Sequence, residues 1–353
     1  MSKEGLGKLD RDFMRRVLLR NTGARSSAVL VGPGVGLDNA VVSVGAGRVL
    51  VVTADPLSII PSIGMEDSAW LTVHELASDL ATSAVAPQFV VLDYNLPPSL
   101  SDDDFARYAV AVSDECRRLG ISIVGGHTGR YPGSDFTIVG GGMMMAIADD
   151  GAYITPKMIG GGEDIIMTKG AAIEATAVLA LAFPETTERK LGAKAARRAA
   201  SYLRRCSTVE DAIVASGVGI RTNGVTAMHD ATEGGVLGGL YELARTSGRT
   251  LRVDRESIRV SPETASICAA FEIDPLVTIS EGTLLITCRP RSSREVMKRL
   301  AAKGIESFKI GTVEGGRRPG LRLMRGSSGE TYVPPKIDPY WDAYSRGVKM
   351  GWK

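Results

Sequence analysis

The chain has 353 residues, and its 42 Lys and Arg residues nearly balance 40 Asp and Glu residues, so the formal net charge of +2 excludes a strong general affinity for nucleic acid. Hydrophobic residues at 44% and charged residues at 23% are typical of a globular protein with a large core, and the length suggests two domains. The four cysteines form no C-x-x-C pair, no apolar run is long enough for a membrane helix, and no signal peptide is evident; together these features predict a cytoplasmic protein with reduced thiols and no membrane contact.

The first glycine-rich stretch follows a short amphipathic helix predicted over 10–20 and lies between two apolar runs. Its sequence is Gly32-Pro33-Gly34-Val35-Gly36-Leu37-Asp38. It has neither the Gly-Lys-Ser/Thr ending of a Walker A loop nor a Gly-x-Gly-x-x-Gly pattern that opens a helix. A hairpin turn and a loop that folds its backbone around a ligand are equally good interpretations.

Two acidic residues lie beside predicted core surfaces in the first half. Residues 48–54 form a near-continuous apolar run typical of a buried strand, and Asp55 follows at its end. A helix over 68–86 has an apolar stripe with Asp79 beside it, whereas His74 is assigned to the helix surface. A carboxylate near buried apolar surface is costly unless it is paired or binds a metal. Asp55 therefore needs a partner, and so does Asp79 unless its face of the helix is solvated.

The rest of the first half predicts three more strands, a helix and a domain boundary. Strands are expected over 89–95, 121–124 and 136–148, and a helix is expected over 101–119. The strand at 121–124 is predicted to break into a glycine-rich turn that contains His127 and Thr128. The Pro- and Gly-rich stretch 155–164 indicates a linker. We therefore expect an N-terminal domain over 1–157 and a C-terminal domain over 158–353.

The second half opens with a strand predicted over 165–168 and helices over 171–182 and 188–206. The second of these helices is rich in Arg and Lys but has no interleaved aromatic residues. A solvated helix face is therefore favoured over RNA binding.

A segment rich in polar and glycine residues follows these helices. Its sequence is Met228-His229-Asp230-Ala231-Thr232-Glu233-Gly234-Gly235. An apolar run ends here and a helical pattern begins at once, so Thr232 is expected to cap the helix while Gly234 and Gly235 leave first-turn N–H groups open. Such a helix start is a ready anion site, and His229 and Asp230 add titratable groups beside it. An ordinary strand-to-helix turn is the alternative.

The remaining elements are a strand over 251–260, a helix over 261–271, a strand within 274–288, a helix over 292–303 and a strand over 305–313. Within the 274–288 stretch, Glu281 and Gly282 interrupt the apolar run. A Glu between Ile279 and Leu284 is poorly placed for a plain core, which makes Glu281 a site candidate.

An ordered set of segments resembles the aminoimidazole-ribonucleotide-synthetase-like (PurM-like) superfamily from about residue 32 to 313. The segments are GVGLDNAVV, VTADPLS, HELASDLATSAVAP, IVGGHTG, GGGEDIIMTKG, MHDATEGGVLGGLYELA and DPLVTISEG. The superfamily includes the purine enzyme, thiamine-monophosphate kinase, selenophosphate synthetase and the hydrogenase-maturation protein HypE. The second half is most similar to the HypE branch and its archaeal relatives.

The resemblance implies a two-domain α+β PurM-like fold. The N-terminal strands would form a central barrel across a homodimer, the C-terminal domain would be an α/β sandwich, and ATP with Mg²⁺ would lie between the domains. The implied metal ligands are Asp38, Asp55 and Asp79. The implied ATP-binding residues are Gly34, Gly36, Asp38, His127, Thr128, Thr232, Gly234 and Gly235. The candidate acid or base residues are His229, Asp230 and Glu281.

The implied function is an ATP-dependent enzyme that forms a phosphorylated intermediate on a carbonyl or amide oxygen of a small-molecule substrate. A second metallocentre-maturation protein is a possible partner. Three departures from the family pattern stand out: His127 replaces the usual Asp of Gly-Asp-Thr, Ser78 replaces a frequent Asn, and the sequence finishes with Trp352-Lys353 where HypE has a terminal Cys. The alternatives are a small-molecule kinase such as thiamine-monophosphate kinase and a non-catalytic nucleotide-binding assembly partner.

Overall fold

Two mixed β-sheets with helices packed against them organise the chain in the computed structural model, which describes residues 6–316 and 319–353. The first sheet has six strands in the order β1-β2-β3-β6-β4-β5. Only β4 and β5 run parallel to each other. The strands are β1 Val29–Val31, β2 Ala40–Gly45, β3 Arg48–Ser58, β4 Phe89–Leu96, β5 Ser122–Arg130 and β6 Ile138–Asp149. The helices of this half are α1 Arg11–Arg16, α2 Met65–Ala81 and α3 Asp102–Leu119.

The second sheet has seven strands in the order β13-β12-β9-β11-β7-β10-β8. The strands are β7 Asp164–Thr168, β8 Val225–Asp230, β9 Thr250–Asp254, β10 Leu284–Cys288, β11 Ser307–Val313, β12 Gly320–Arg325 and β13 Ser328–Thr331. The helices are α4 Ile173–Ala182, α5 Pro184–Leu191, α6 Ala193–Ala200, α7 Val209–Ser216, α8 Gly235–Ser247, α9 Pro262–Phe271, α10 Pro290–Ala302 and α11 Pro339–Lys349. Every residue of β7, β8 and β10 is buried, although β8 is the last strand in the sheet order.

Helix α2 lies at the centre of the molecule. One side packs on β3 and α3, and α7 of the second half lies against it as well. Most of its residues are buried for this reason. The neighbouring helix α3 has well-defined ends, because Ser101 caps its first turn and Gly120, in the left-handed region, follows its last residue. Helix α2 is consequently held between the two halves of the chain.

The prediction that His74 lies on the helix surface is wrong. The residue is 5% exposed and stacks on Trp70 with ring centroids 4.0 Å apart. Its Nδ1 lies 2.7 Å from Ser207 Oγ, and its Nε2 lies 2.7 Å from Glu115 Oε1. Burial of the imidazole lowers the pKa of His74 despite the nearby Glu115 carboxylate. The sequence pattern missed this because neighbours from both halves of the chain cover α2.

Several predicted strand ends also differ from the structure. Strand β3 continues past Ala54 to Ser58, so Asp55 lies inside a strand and not at its end. Strand β5 continues through the expected glycine-rich break as far as Arg130. It can do so because Gly126, at φ +154°, lies so close to β4 that a Cβ would be 1.9 Å from the Leu92 carbonyl oxygen. Glycine here permits close strand pairing and does not interrupt it.

In the second half, β9 ends at Asp254 and β10 begins only at Leu284, so both strands are shorter than predicted. The expected helix over 188–206 is divided into α5, α6 and a 3₁₀ turn. Gly192, with φ +84°, separates α5 from α6. The domain boundary between 157 and 158 stays a prediction. Within the described residues, every helix is too short or too polar to traverse a lipid bilayer.

Candidate functional site

His229 joins the two halves of the chain at the end of β8. Its Nδ1 lies 2.7 Å and 2.9 Å from the two carboxylate oxygens of Asp38, which follows the glycine-rich loop. Its Nε2 lies 3.3 Å from Glu242 Oε2 on α8. Burial alone would lower the pKa of His229, but Asp38 and Glu242 offset that effect and raise it well above its ordinary value. The imidazole is therefore a cation between two carboxylates, and it fixes the position of Asp38.

Glu242 is the counterion that stabilises this arrangement from the α8 side. Arg11 Nη2 lies 3.0 Å from Glu242 Oε1. Burial would raise the pKa of Glu242, yet the hydrogen bond from His229 and the charges of Lys8 and His229 lower it to about 2. Glu242 is therefore ionised at neutral pH, and the residues around it already neutralise its charge.

Asp230, the last residue of β8, has no such partner. It is 1% exposed, and among the described residues neither of its carboxylate oxygens has a hydrogen-bond partner. Burial and the neighbouring Asp38 raise its pKa to about 7. Ligand atoms of Asp38, His229 and Asp230 all lie within 4.8 Å of one another. Because an orphaned buried carboxylate is costly and hard cations prefer oxygen ligands, the carboxylates of Asp38 and Asp230 fit a divalent ion such as Mg²⁺, while the His229 cation holds Asp38 in place.

Asp55 and Asp79 are two further acids whose charges act on Asp230 or on its neighbours. Thr53 Oγ1 donates a hydrogen bond to Asp79 Oδ2 at 3.0 Å. Burial and the Asp79 carboxyl raise the pKa of Asp55 to about 9. Burial and the Asp230 charge raise the pKa of Asp79 well above its ordinary value. We call Asp38, Asp55, Asp79 and Asp230 the outer acids. The predicted ligand set of Asp38, Asp55 and Asp79 stays a prediction, and Asp230 joins it as a candidate.

Lys8 is a site residue that the sequence analysis missed. Its backbone N–H points to Glu233, with the two carboxylate oxygens at 3.0 Å and 2.9 Å, and its Nζ lies 3.0 Å from Thr232 Oγ1. Burial of the ammonium would lower the pKa of Lys8, but the charges of Glu242 and nearby acids raise that pKa above its ordinary value. Gly7, which precedes it at φ +83°, is the one local signal for this close approach.

The expected cap of α8 by Thr232 is wrong. The residue before the helix is Gly234, at φ +86°, and no side chain caps the first turn from that position. Instead, Asp338 from the C-terminal segment accepts a hydrogen bond from the Gly234 N–H at 2.7 Å. The bare helix start inferred from the sequence is therefore partly filled by a carboxylate of the same chain. Phosphate binding by Thr232, Gly234 and Gly235 stays a prediction, and a phosphate at the Gly234 N–H would have to displace Asp338.

The glycine-rich loop lies directly against α8. Thr246 Oγ1 donates a hydrogen bond to the Val35 carbonyl at 2.8 Å. Gly36 has φ +76°, and a Cβ there would lie 2.8 Å from Glu242 Cβ. The loop also closes a turn, because the Leu37 N–H donates to the Gly34 carbonyl. The hairpin interpretation is confirmed, since the loop joins the antiparallel strands β1 and β2. That the loop folds around a ligand and contacts phosphates stays a prediction.

His127 and Thr128 lie on the exposed strand β5, opposite Asp93 and Tyr94 of β4. Within the described residues, the hydrogen bond of the His127 side chain is to the Tyr131 hydroxyl, at 2.7 Å. Neither His127 nor Thr128 is hydrogen-bonded to the outer acids in the described part of the chain. Their predicted role in ATP binding is not tested by this arrangement.

Glu281 belongs to a second set of acids beside the outer acids. Its N–H donates to Glu174 Oε2 at 3.1 Å, and burial together with Asp230 raises its pKa well above the ordinary value. Burial and the Glu174 charge likewise raise the pKa of Glu75. Burial raises the pKa of Glu174 to about 7. Glu75, Glu174 and Glu281 are called the inner acid trio below. The sequence analysis missed Glu75 and Glu174, although Glu75 lies one helical turn from Asp79.

Family models account for most of both halves of the chain. The model described as AIR synthase related protein, N-terminal domain, matches residues 36–148, and the corresponding C-terminal domain model matches residues 161–324. The chain belongs to the AIR synthase related protein family. The two-sheet α+β architecture and the PurM-like resemblance are thereby confirmed, whereas the barrel across a homodimer stays a prediction.

Within this family, the sequence is similar to hydrogenase-maturation proteins. It is 27% identical over 291 residues to carbamoyl dehydratase HypE of Rhizobium leguminosarum bv. viciae, covering 79% of this chain and 77% of the relative. It is 23% identical over 299 residues to a putative hydrogenase expression/formation protein of Methanocaldococcus jannaschii, covering 83% and 84%. Both matches extend across the two halves of the AIR synthase related chain.

Solved structures share the fold at low sequence identity. HypE in a HypE–HypF complex has TM-score 0.69 at 16% identity, covering 92% of this chain and 99% of that one. HypE in complex with ATP has TM-score 0.67 at 16% identity, covering 93% of each chain. Thiamine monophosphate kinase of Aquifex aeolicus has TM-score 0.62 at 16% identity, covering 81% and 91%. This AIR synthase related fold therefore occurs with more than one named activity.

Proposed function

We propose that this protein is an ATP-binding, Mg²⁺-dependent enzyme of the HypE-like branch, which phosphorylates a carbonyl or amide oxygen of a small molecule. The observation that carries the proposal is Asp230, which lies beside Asp38 and His229 and whose two buried carboxylate oxygens have no hydrogen-bond partner among the described residues. Similar proteins named carbamoyl dehydratase HypE, and a HypE structure in complex with ATP, support the choice of nucleotide and branch. A bound Mg²⁺ would neutralise charge on the phosphates.

The residues of this chain would act by positioning and by charge. His229 holds Asp38 in place through hydrogen bonds of 2.7 Å and 2.9 Å. Asp38 and Asp230 would hold the ion, Asp55 and Asp79 are the predicted further ligands from outside that close group, and Lys8 brings a positive charge to the same region. Such preorganised charges stabilise a phosphoryl group in transfer without covalent chemistry by the protein. Glu281 is the candidate acid or base, since its buried Oε1 has no partner among the described residues.

The acceptor in this proposal is a separate molecule and not the C-terminal segment. The Lys353 carbonyl accepts a hydrogen bond from the Thr186 N–H at 2.7 Å. The Trp352 ring contacts Phe271 and Phe183, with centroids 5.3 Å and 6.0 Å away. These contacts hold residues 352–353 against α5 and α9. A carbamoyl group carried on that segment would first have to break them.

Pairing of two copies through the first sheet is the second part of the proposal. Strand β5 is the last strand of that sheet in the described structure. It exposes Ile123 and Val124 at 45% and 55%. Exposed apolar side chains on an unpaired edge favour pairing with another strand. A homodimer joined there is consistent with the barrel that the family resemblance implies. A partner from metallocentre maturation, such as the one in the HypE–HypF complex, is proposed on similarity alone.

The test is nucleotide binding by the purified protein with and without Mg²⁺, followed by release of phosphate. We expect ATP to raise the melting temperature only when Mg²⁺ is present, and Asp55→Asn to abolish that response. Asp103→Asn is the matched control, because Asp103 is an exposed residue in the first turn of α3. The absence of any nucleotide response in the wild type would remove the proposal. Phosphate transfer to thiamine monophosphate in the same assay would favour the kinase alternative.

A further inference from the structure

The inner acid trio brings together carboxyl groups from three separate elements. Glu75 lies on α2, Glu174 on α4, and Glu281 in the turn before β10. Glu174 Oε2 accepts the Glu281 N–H at 3.1 Å, which joins two of the three elements directly. Glu281 is 2% exposed, and its Oε1 is buried with no hydrogen-bond partner among the described residues. The trio thus contains a buried polar atom that nothing in the described chain satisfies.

Three other buried acids of this protein have a cation at ion-pair distance. The pairs are Asp211 with Lys169 at 3.0 Å, Glu163 with Arg289 at 3.1 Å, and Glu242 with Arg11 at 3.0 Å. In the described part of the chain, no lysine, arginine or histidine forms such a pair with a member of the trio. Lys8, whose charge acts on Glu174, is bound instead at Thr232 Oγ1. A cation from outside the chain would neutralise the trio, as Lys169, Arg289 and Arg11 neutralise the acids that they pair with.

The spacing of the carboxyl groups favours an organic cation over a metal ion. Among the described residues, the group whose ligand atoms all lie within 4.8 Å of one another is Asp38, His229 and Asp230, and the trio does not meet that spacing. A divalent ion needs its oxygen ligands at about 2.0–2.6 Å. An ammonium or amidinium group donates N–H bonds in several directions and so reaches carboxylates that are farther apart.

The position of the trio relates it to the outer acids. Glu75 and Asp79 are four residues apart on α2, so they lie on the same face, about 6 Å from each other. A small molecule whose cationic nitrogen binds at the trio would therefore place other atoms beside the outer acids, which lie one helical turn away along α2. A substrate about 6 Å long would therefore reach both sets of acids.

We propose that Glu75, Glu174 and Glu281 bind a cationic nitrogen group, an ammonium or an amidinium, of the small-molecule substrate. That this molecule is the substrate rests on the proposed function, whereas the cation site itself rests on the trio alone. Glu281 would contribute its unpartnered Oε1, and Glu75 would contribute a carboxylate that has no hydrogen bond or ion pair within the described residues.

The test uses acetamidinium as the probe and acetamide, which has the same shape without the charge, as the matched compound. We expect acetamidinium to stabilise the wild-type protein in a thermal titration and acetamide to have no effect at the same concentration. Glu75→Gln and Glu174→Gln should each weaken acetamidinium binding about tenfold, as expected for the loss of one charge-assisted hydrogen bond. Glu188→Gln on the exposed face of α5 is the control and should bind as the wild type does.

Equal stabilisation by the two compounds, or unchanged binding in both Glu→Gln variants, would overturn the cation site. Competition between Mg²⁺ and acetamidinium in the Asp55→Asn protein would also overturn it, since it would assign the trio to a metal. The proposed function is measured separately by the Mg²⁺–ATP titration. Acetamidinium binding without a nucleotide response would therefore keep the cation site and remove the phosphoryl-transfer enzyme.

Discussion

Asp338 Oδ2 accepts a hydrogen bond of 2.7 Å from the backbone N–H of Gly234, so a residue about 100 positions later in the sequence binds a free N–H at the start of α8. The other oxygen of Asp338 accepts from the Thr278 hydroxyl at 3.1 Å and from the Tyr340 N–H at 2.9 Å. One carboxylate thereby connects the C-terminal segment, the turn before α8 and the loop before β10. This arrangement makes the C-terminal segment part of the structure around the site.

We predict that Asp338→Ala lowers the free energy of unfolding by about 1–3 kcal/mol, because it leaves a helix-start N–H and two other donors unsatisfied. Asp338→Asn keeps an acceptor oxygen and should recover part of the loss. Urea unfolding followed by circular dichroism measures both variants. An Asp338→Ala protein as stable as the wild type would show that water replaces the carboxylate at no cost.

A second prediction concerns pH and His74. Burial lowers the folded-state pKa of His74 below the ordinary 6.5, so the imidazole is neutral in the folded protein while the unfolded chain takes up a proton. The stabilising contribution is therefore present above pH 6.5 and is lost as the pH falls through the lower folded-state pKa. His74→Gln should lose stability at neutral pH and show a weaker decline between pH 6.5 and 5. The measurement is the urea midpoint at several pH values, and equal slopes for both proteins would contradict it.

A third prediction compares neighbouring glycines in β5. Gly126→Ala should be strongly destabilising, by more than about 3 kcal/mol, because its Cβ would lie 1.9 Å from the Leu92 carbonyl oxygen at a backbone conformation that disfavours side chains. Gly125→Ala should be tolerated, since nothing lies within 4 Å of the Cβ that it would gain. Soluble yield and melting temperature compare the two. If both variants behave alike, the pairing of β5 with β4 differs from that described.

A fourth prediction concerns Lys8. Because its ammonium lies 3.0 Å from Thr232 Oγ1 and interacts with the outer acids, Lys8→Met should weaken Mg²⁺–ATP binding about tenfold, the size expected for one charge-assisted contact. Lys194→Met, at an exposed position of α6, removes the same charge away from the site and should leave binding unchanged. Isothermal titration calorimetry measures both. Tighter binding by Lys8→Met would mean that Lys8 competes with the metal ion and does not assist the nucleotide.

Near-continuous apolar runs in the sequence were sufficient to predict buried strands of both sheets. The run over 48–54 lies in β3, and the run over 165–168 lies in β7. Such patterns report which surfaces are covered by the core. They did not locate the end of β3 at Ser58, because Asp55 interrupts the apolar pattern without interrupting the backbone pairing with β6.

Side-chain partners that come from distant parts of the chain were harder to predict. His229 was singled out from its local segment, but its bonds to Asp38 and Glu242 depend on how the two halves meet. Thr232 was expected to cap α8 because Thr is a common cap, whereas the C-terminal Asp338 fills that role. Glu174 carried no local motif, and the one local signal for Lys8 was the glycine before it. Their positions become evident only when the acids around them are placed together.

Trp341 adds a practical consequence, because its indole N–H donates to Glu233 Oε1 at 3.1 Å, on the same carboxylate that accepts the Lys8 N–H. Indole emission is sensitive to the polarity around the ring, and the chain has only 3 tryptophans. Movement of the N-terminal segment away from Glu233 would therefore change the fluorescence of Trp341. The molecule carries its own optical reporter of events at the acids, and no dye needs to be attached to follow them in real time.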